Sequence, residues 1–220
     1  LFGYTAFEQT TEIGHNQFLG VVETLKKDKD SRQAICHINL PSDVKNLLDQ
    51  GTKDFPCTLN LAFFIREDKL HLIVTMRSND AVTGFTVDLF QFTMMQEMML
   101  CLLKSTYPDL ELGYYYHTAY SMHLYERNWE MANSIVADYQ LSLFESENIP
   151  DPVVMQTMEF LDYNNIWDEV NQMIEIEKQI RHTKEPEWDE VKGMDQIHPY
   201  WQNFIKVCFD KNNLLIELEG

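Results

Sequence analysis

A chain of 220 residues with 45% hydrophobic and 12% aromatic content is long enough for one substantial globular domain and a small appendage. Its 35 acidic residues against 17 basic ones give a net charge of -18, which argues against DNA or an anionic membrane as a partner, although a few local arginines can still hold one phosphate. No apolar run reaches the roughly 18 residues of a spanning helix, and the scattered Cys36, Cys57, Cys101 and Cys208, without CxxC spacing, predict reduced cytoplasmic thiols and no metal site.

The start, Leu1-Phe2-Gly3-Tyr4, has neither an initiator Met nor the regions of a signal peptide, so a natural start upstream of it is expected. From His15 to Lys27 the apolar Phe18, Val21, Val22 and Leu25 fall at helical spacing, with lysines at the end. A polar turn over 28–32 leads to a strand over 33–40, and Pro41-Ser42-Asp43 opens a second, short helix that ends near Gly51. Runs at 58–65 and 70–76 read as strands joined by a hairpin at Arg66-Glu67-Asp68-Lys69. The stretch from Asp88 to Lys104 is apolar on almost all sides, which predicts a buried helix. Pro108 and Gly113 punctuate, and 114–125 reads as one long strand. Beyond Trp129 the chain becomes more acidic, with helical patterns at 153–161, 166–181 and 199–209 and a turn and short strand over 212–218. These elements predict an α+β core over 1–128 and an acidic, mainly helical extension over 129–220.

Chemistry concentrates between Phe55 and Asp88. A thiolate can add to an electron-poor ring carbon and later leave it. A guanidinium clamps phosphate through paired hydrogen bonds and, beside a thiol, favours the thiolate. Cys57 follows Pro56 at the start of a strand on which Leu59, Leu61 and Phe63 share a face. Arg77 closes the next strand, which the hairpin lays beside the first. A lone cysteine is ordinarily a small buried hydrophobe, and Cys36, Cys101 and Cys208 are read that way. Tyr114, Tyr115, Tyr116 and Tyr120 are read as packing or rim residues.

Order and spacing set Cys57 apart. Phe55-Pro56-Cys57, then Arg77-Ser78-Asn79-Asp80, Gly84 and Asp88, then His123-Leu124-Tyr125 resemble the core of the thymidylate synthase superfamily, and Asp30-Ser31-Arg32 is similar to its phosphate-binding loop. Cys57-Thr58, Met76-Arg77 and Asp88 look most like the versions in bacteriophage deoxycytidylate hydroxymethylases. The resemblance covers roughly residues 1–128. It implies a thymidylate synthase-like mixed β-sheet with a long buried central helix, working as a homodimer with shared sites. It implies Cys57 and Asp88 as catalytic residues. Arg32, Arg77, Ser78, Asp88, His123 and Tyr125 would bind the nucleotide, with Arg32 reaching across the dimer. Asp80 and Gly84 would meet the co-substrate 5,10-methylenetetrahydrofolate. Gln33 stands where the family commonly has a second arginine, a loss of one charge-assisted bond of about 1.5–3 kcal/mol.

Asp88 carries the substrate expectation. Uracil offers N3–H as donor and O4 as acceptor, which an amide complements. Cytosine offers N4–H₂ as donor and N3 as acceptor, which a carboxyl group suits better. Folate-dependent hydroxymethylation of C5 of dCMP is therefore the expected activity, in a host cytoplasm if the chain is phage-encoded. The alternatives are a synthase-like C5-methyltransferase on dCMP or dUMP, a hydroxymethylase acting on CMP, and a nucleotide-binding or assembly module without catalysis.

Overall fold

In a computed structural model of the chain, residues 16–39, 41–50, 55–144, 166–182, 191–202 and 205–206 are described. The helical pattern at 153–161, the turn and strand over 212–218, and Cys208 lie outside them. The chain divides into two compact units, Leu1–Val154 and Met155–Gly220.

In the first unit, Asn16 caps helix α1 (Gln17–Lys27): its side-chain oxygen accepts from the N–H groups of Phe18 at 2.9 Å and Leu19 at 3.2 Å. The stripe Phe18, Val21, Val22 and Leu25 is buried, with the Phe18 ring edge-on to Phe63 at 5.9 Å. Strand β1 (Ile35–His37) and helix α2 (Pro41–Gln50) follow. Strands β2 (Thr58–Arg66) and β3 (Lys69–Met76) form the expected antiparallel hairpin. Its turn places Glu67 and Asp68 at φ 50° and 56°, the geometry that matches the twist of a two-residue connection.

After β3 comes a short strand β4 (Asn79–Asp80), then helix α3 (Gly84–Lys104), strand β5 (Glu111–Ala119) and strand β6 (Met122–His123). The main sheet is mixed, in the order β1-β2-β3-β5, with β3 and β5 parallel and joined through α3. A second, two-stranded sheet pairs β4 with β6 in parallel. Helix α4 (Trp129–Phe144) ends the described part of this unit. The architecture is α+β, as expected.

Three expectations change in detail. The strand read as 114–125 is broken after Ala119, because its neighbour β3 stops at Met76; Tyr120 N–H takes the Met76 carbonyl at 3.0 Å and the chain then re-pairs with β4. Helix α3 starts at Gly84, one turn before Asp88, where the apolar stretch was read to begin. Burial of α3 is confined to its later turns: Phe92, Met95, Met99, Leu102 and Leu103 fill the core against Leu61, Phe63, Leu70, Leu72 and Val74, whereas Val87 is 61% and Phe90 48% exposed.

The pairing of β3 with β5 contains one irregularity that positions the site. Leu70 pairs with Leu112 but Leu72 pairs with Tyr115, so β5 carries one extra residue. The ladder then leaves the Tyr114 N–H without a strand partner, and His71 Nδ1 accepts it at 3.0 Å. From α3, the buried Gln96 side chain donates to the Leu70 carbonyl at 2.8 Å. Without the bulge, Tyr114 and Tyr116 would follow Leu112 onto the face of Leu72 and Val74. With it, Tyr115 and His117 do, and Tyr114 and Tyr116 are exposed.

In the second unit, helix α5 (Ile166–His182) agrees with the pattern read at 166–181 and buries Ile176 and Ile180; Ile197, Tyr200, Trp201 and Ile205 are also buried. Exposed pairs Glu175–Lys178 and Glu177–Arg181 decorate the outer face of α5. Among the described residues no helix is long and apolar enough to cross a membrane.

A Cβ added at Gly113 would sit 2.7 Å from His71 Nδ1 and 2.8 Å from the Leu70 carbonyl oxygen. The second neighbour is backbone and cannot yield cheaply. Gly113→Ala should therefore lower stability by about 1–3 kcal/mol in urea denaturation. An unchanged midpoint would mean that the bulge is not held as described.

Candidate active site

Cys57 is exposed, whereas Cys36 and Cys101 are buried and burial pushes the Cys36 thiol up to about 12. The segment that presents Cys57 is tied to Arg77 at three points. Arg77 N–H donates to the Cys57 carbonyl at 2.8 Å, Nε donates to the Pro56 carbonyl at 3.0 Å, and one Nη donates to the Phe55 carbonyl at 2.8 Å. The guanidinium also lies 5.2 Å from the centre of the Phe55 ring. The hairpin thus brings Arg77 to the segment that carries Cys57, and its guanidinium fixes the carbonyls leading to the cysteine. Just after Cys57, Leu59 is an extra residue in β2, between Thr58 opposite Met76 and Asn60 opposite Thr75. That bulge takes Leu59 out of the alternation expected with Leu61 and Phe63.

Strands β4 and β6 bring the next residues to the same end of the sheet, beyond the carboxyl ends of β3 and β5. Asp80 pairs with His123, and Asn79 N–H donates to the Ser121 carbonyl at 2.9 Å. Ser78 Oγ and His123 Nδ1 are in hydrogen-bond contact at 3.3 Å. The His123 ring meets Tyr125 edge-on at 4.8 Å, and the Arg127 guanidinium lies over the tyrosine ring at 4.8 Å.

Asp80 is buried, and its carboxylate folds the turn that starts α3. It accepts from Val82 N–H at 3.4 Å, from Thr83 N–H at 3.2 Å and from the Thr83 hydroxyl. The Thr83 hydroxyl foremost, with the backbone N–H groups of Val82, Thr83 and Gly84, holds its pKa below the ordinary carboxylate value against the opposing effect of burial. Gly84 permits a close approach within the chain itself: a Cβ there would meet Asn79 Oδ1 at 2.8 Å.

Asp88 lies one turn into α3 and is half-buried. Burial raises its pKa, while His117 and a hydrogen bond from Asn79 pull it down. Around it stands a cluster that sequence reasoning did not single out. Asn79 Nδ2 lies 2.9 Å from His117 Nε2, and His117 Nδ1 lies 2.6 Å from Tyr115 Oη. Phe85 meets the His117 ring edge-on at 5.1 Å. Burial pulls His117 below its ordinary value, with Asp88 opposing, and burial followed by Asp88 raises Tyr115. Tyr115 and His117 sit two apart on a strand, which is a readable signal. Their face was not readable, because the bulge at 112–115 sets it.

Arg32 is not brought to this end. It is exposed, in a loop with Asp28, Asp30, the buried Ser31 and Gln33, near the hairpin end of β2, where Arg66 reaches the Asp30 carbonyl at 3.5 Å. Cys57 precedes the opposite end of that nine-residue strand, about 30 Å away along it.

The family model described as thymidylate synthase matches residues 2–176, beyond the 1–128 over which the motifs were read. A deoxyuridylate hydroxymethyltransferase of Bacillus phage SP01 is 36% identical over 152 residues, 68% of this chain and 37% of the relative. The deoxycytidylate 5-hydroxymethyltransferase of Enterobacteria phage T4 is 35% identical over 78 residues, 36% of this chain and 32% of the relative. The chain thus spans about a third of the length of these curated relatives. Among solved structures, thermostable thymidylate synthase A from Bacillus subtilis is similar with a TM-score of 0.48 and 24% identity, over 60% of this chain and 45% of that one.

The tie between Arg77 and Phe55-Pro56-Cys57 is open to a direct check. Lysine keeps the charge of Arg77 but not its fork, so Arg77→Lys should lose at least one carbonyl bond, worth about 1.5–3 kcal/mol locally. Amide hydrogen exchange at position 77, whose N–H binds the Cys57 carbonyl, should then speed up by about ten- to a hundredfold. Exchange at the wild-type rate would show that the cysteine segment is held by something else.

Proposed function

This chain belongs to the thymidylate synthase family, and on that premise we propose that it transfers a one-carbon unit to C5 of a pyrimidine deoxynucleoside monophosphate. The acceptor is dCMP and the product 5-hydroxymethyl-dCMP. The observation that carries this reading is the pairing of an exposed Cys57 beside Arg77 with the half-buried Asp88 carboxyl at the start of α3.

Cys57 Sγ adds to C6 of the ring, and the electron pair moves to C5, which forms the new carbon–carbon bond and later releases its proton. Loss of that proton returns the pair, which expels tetrahydrofolate from the one-carbon unit; water then adds to the exocyclic methylene, and the pair this places at C5 expels the Cys57 thiolate. Arg77 has one Nη without a hydrogen bond among the described residues, which suits it to the 5′-phosphate as well as to the carbonyls it already holds. Ser78 joins it there. His123 and Tyr125 hold the 3′-hydroxyl. Asp88 accepts from the exocyclic amine of cytosine.

The one-carbon unit comes from 5,10-methylenetetrahydrofolate, which supplies it at the oxidation level of formaldehyde. The residues fit its pterin edge: Asp80 is kept ionised, and its Oδ1 holds only a long 3.4 Å bond, so it retains capacity for an N–H donor. Gly84 follows on the same turn. Arg32, at the far end of β2 from Cys57, would serve the phosphate of a second copy in a homodimer.

A second reading takes dUMP as acceptor. The similarity that favours it is the SP01 relative, a deoxyuridylate hydroxymethyltransferase matched over twice the share of this chain covered by the T4 protein. A protonated Asp88 offers both a donor and an acceptor and complements uracil.

Release of tritium from 5-tritiated dCMP or dUMP, on addition of 5,10-methylenetetrahydrofolate, should occur with the protein and fall to background in Cys57→Ser. Equal release from both would remove the covalent mechanism. Asp88→Asn should move preference from dCMP toward dUMP, by up to about 10⁴-fold in the ratio of kcat/KM values. An unmoved ratio would discard Asp88 as the base reader.

A further inference from the structure

Tyr125 is 47% exposed and stands just past β6, where no core packing orders its ring. Two neighbours order it instead. The His123 ring, two residues back, meets it edge-on at 4.8 Å and 87°. On its other flank in sequence, the Tyr125 carbonyl accepts from Asn128 N–H at 2.9 Å, which closes a 3₁₀ turn over Glu126–Asn128. Asn128 is buried and anchors that turn. The turn carries Arg127 back over the tyrosine, with the guanidinium 4.8 Å from the ring centre.

We propose that Arg127 is a positioning residue for the sugar. By stacking on Tyr125 it fixes the ring whose hydroxyl meets the 3′-hydroxyl of the nucleotide, and so sets how strongly the site distinguishes a 3′-hydroxyl from a 3′-hydrogen. The inference rests on the reading of His123 and Tyr125 as the residues that hold that hydroxyl, and adds one that need not touch the nucleotide.

The stack forms against a competing attraction. Glu126 and Glu130 flank the arginine in a chain of net charge -18, yet among the described residues its guanidinium makes neither an ion pair nor a hydrogen bond. Arg77 and Arg181, by contrast, commit their donors to carbonyls and to Glu177. The quadrupole of the ring holds the cation over its face and leaves the hydroxyl at its edge uncovered. Tyr125 Oη makes no hydrogen bond among the described residues, so its donor and its acceptor are both open to a ligand hydroxyl. The contacts run without a break from the neighbour of Arg77: Ser78 Oγ lies 3.3 Å from His123 Nδ1, His123 packs on Tyr125, and Arg127 covers the tyrosine. Without the guanidinium the exposed ring regains rotamer freedom, which each bond from its hydroxyl must then overcome. The edge of His123 remains as the other restraint, so loss of Arg127 weakens the selection without abolishing it.

The experiment is calorimetric binding of dCMP, dUMP and their 2′,3′-dideoxy analogues to wild type, Arg127→Gln, Arg127→Lys, Tyr125→Phe and the double variant Arg127→Gln/Tyr125→Phe. Each deoxy and dideoxy pair shares its base and 5′-phosphate, so their affinity ratio cancels any general attraction of Arg127 for an anion. The wild type should favour the deoxy form. Arg127→Gln should lower that ratio about two- to fivefold, and lysine, which keeps a cation for the ring, should restore most of it. Tyr125→Phe keeps the ring, loses the hydroxyl, and should lower the ratio about three- to tenfold. In that background Arg127→Gln should lower it no further, because the hydroxyl it served is gone. A wild-type ratio in Arg127→Gln, a ratio in Arg127→Lys as low as in Arg127→Gln, or additive losses in the double variant overturns the proposal. If Tyr125→Phe changes the ratio while Arg127→Gln does not, this inference alone fails. If no ligand binds, or Tyr125→Phe leaves the ratio as it was, the reading of the sugar site fails and the inference with it.

Discussion

The site depends on one extra residue in β5. Between Leu112 and Tyr115 the strand gains a residue over β3, and everything after it changes face. The cost of such an insertion is an N–H that the ladder no longer pairs. Here the His71 ring takes the Tyr114 N–H, Gly113 leaves room for that ring, and Gln96 reaches across from α3 to the Leu70 carbonyl. Two side chains, and a glycine that makes room for one of them, therefore hold a change of register whose consequence appears further along β5, where Tyr115 meets His117 and His117 meets Asn79.

The same economy recurs at the other wall of the site. Cys57 precedes β2 and Arg77 follows β3, so neither lies where regular pairing would fix it. The guanidinium closes that gap by donating to two successive carbonyls, while its backbone N–H takes a third. A guanidinium can do this because its donors are arrayed in a rigid plane. The cysteine that these bonds present is exposed.

Several motif residues have a structural reason to be what they are, separate from any ligand. Asp80 closes the turn before α3 and Gly84 lets the helix start against Asn79. A helix that begins where Asp80 and Gly84 allow puts Asp88 one turn in and half-buried.

The sequence by itself determined the helical stripe of Phe18, Val21, Val22 and Leu25, the hairpin around Glu67-Asp68, the α+β class, and the motif order that pointed to Cys57, Arg77 and Asp88. Those signals are local: a period of 3.6, a turn at the right spacing, a short ordered set of residue types. It did not determine the end of β5 at Ala119, the start of α3 at Gly84, or the grouping of Asn79, Tyr115 and His117. Each of these was decided by a neighbour distant in sequence. A strand stops where its partner stops, a bulge survives only if a side chain from another strand satisfies it, and a tyrosine becomes part of a site only when the register turns it inward. Periodicity within a segment carries no information about the phase that pairing imposes, and phase is what places His117 against Asn79.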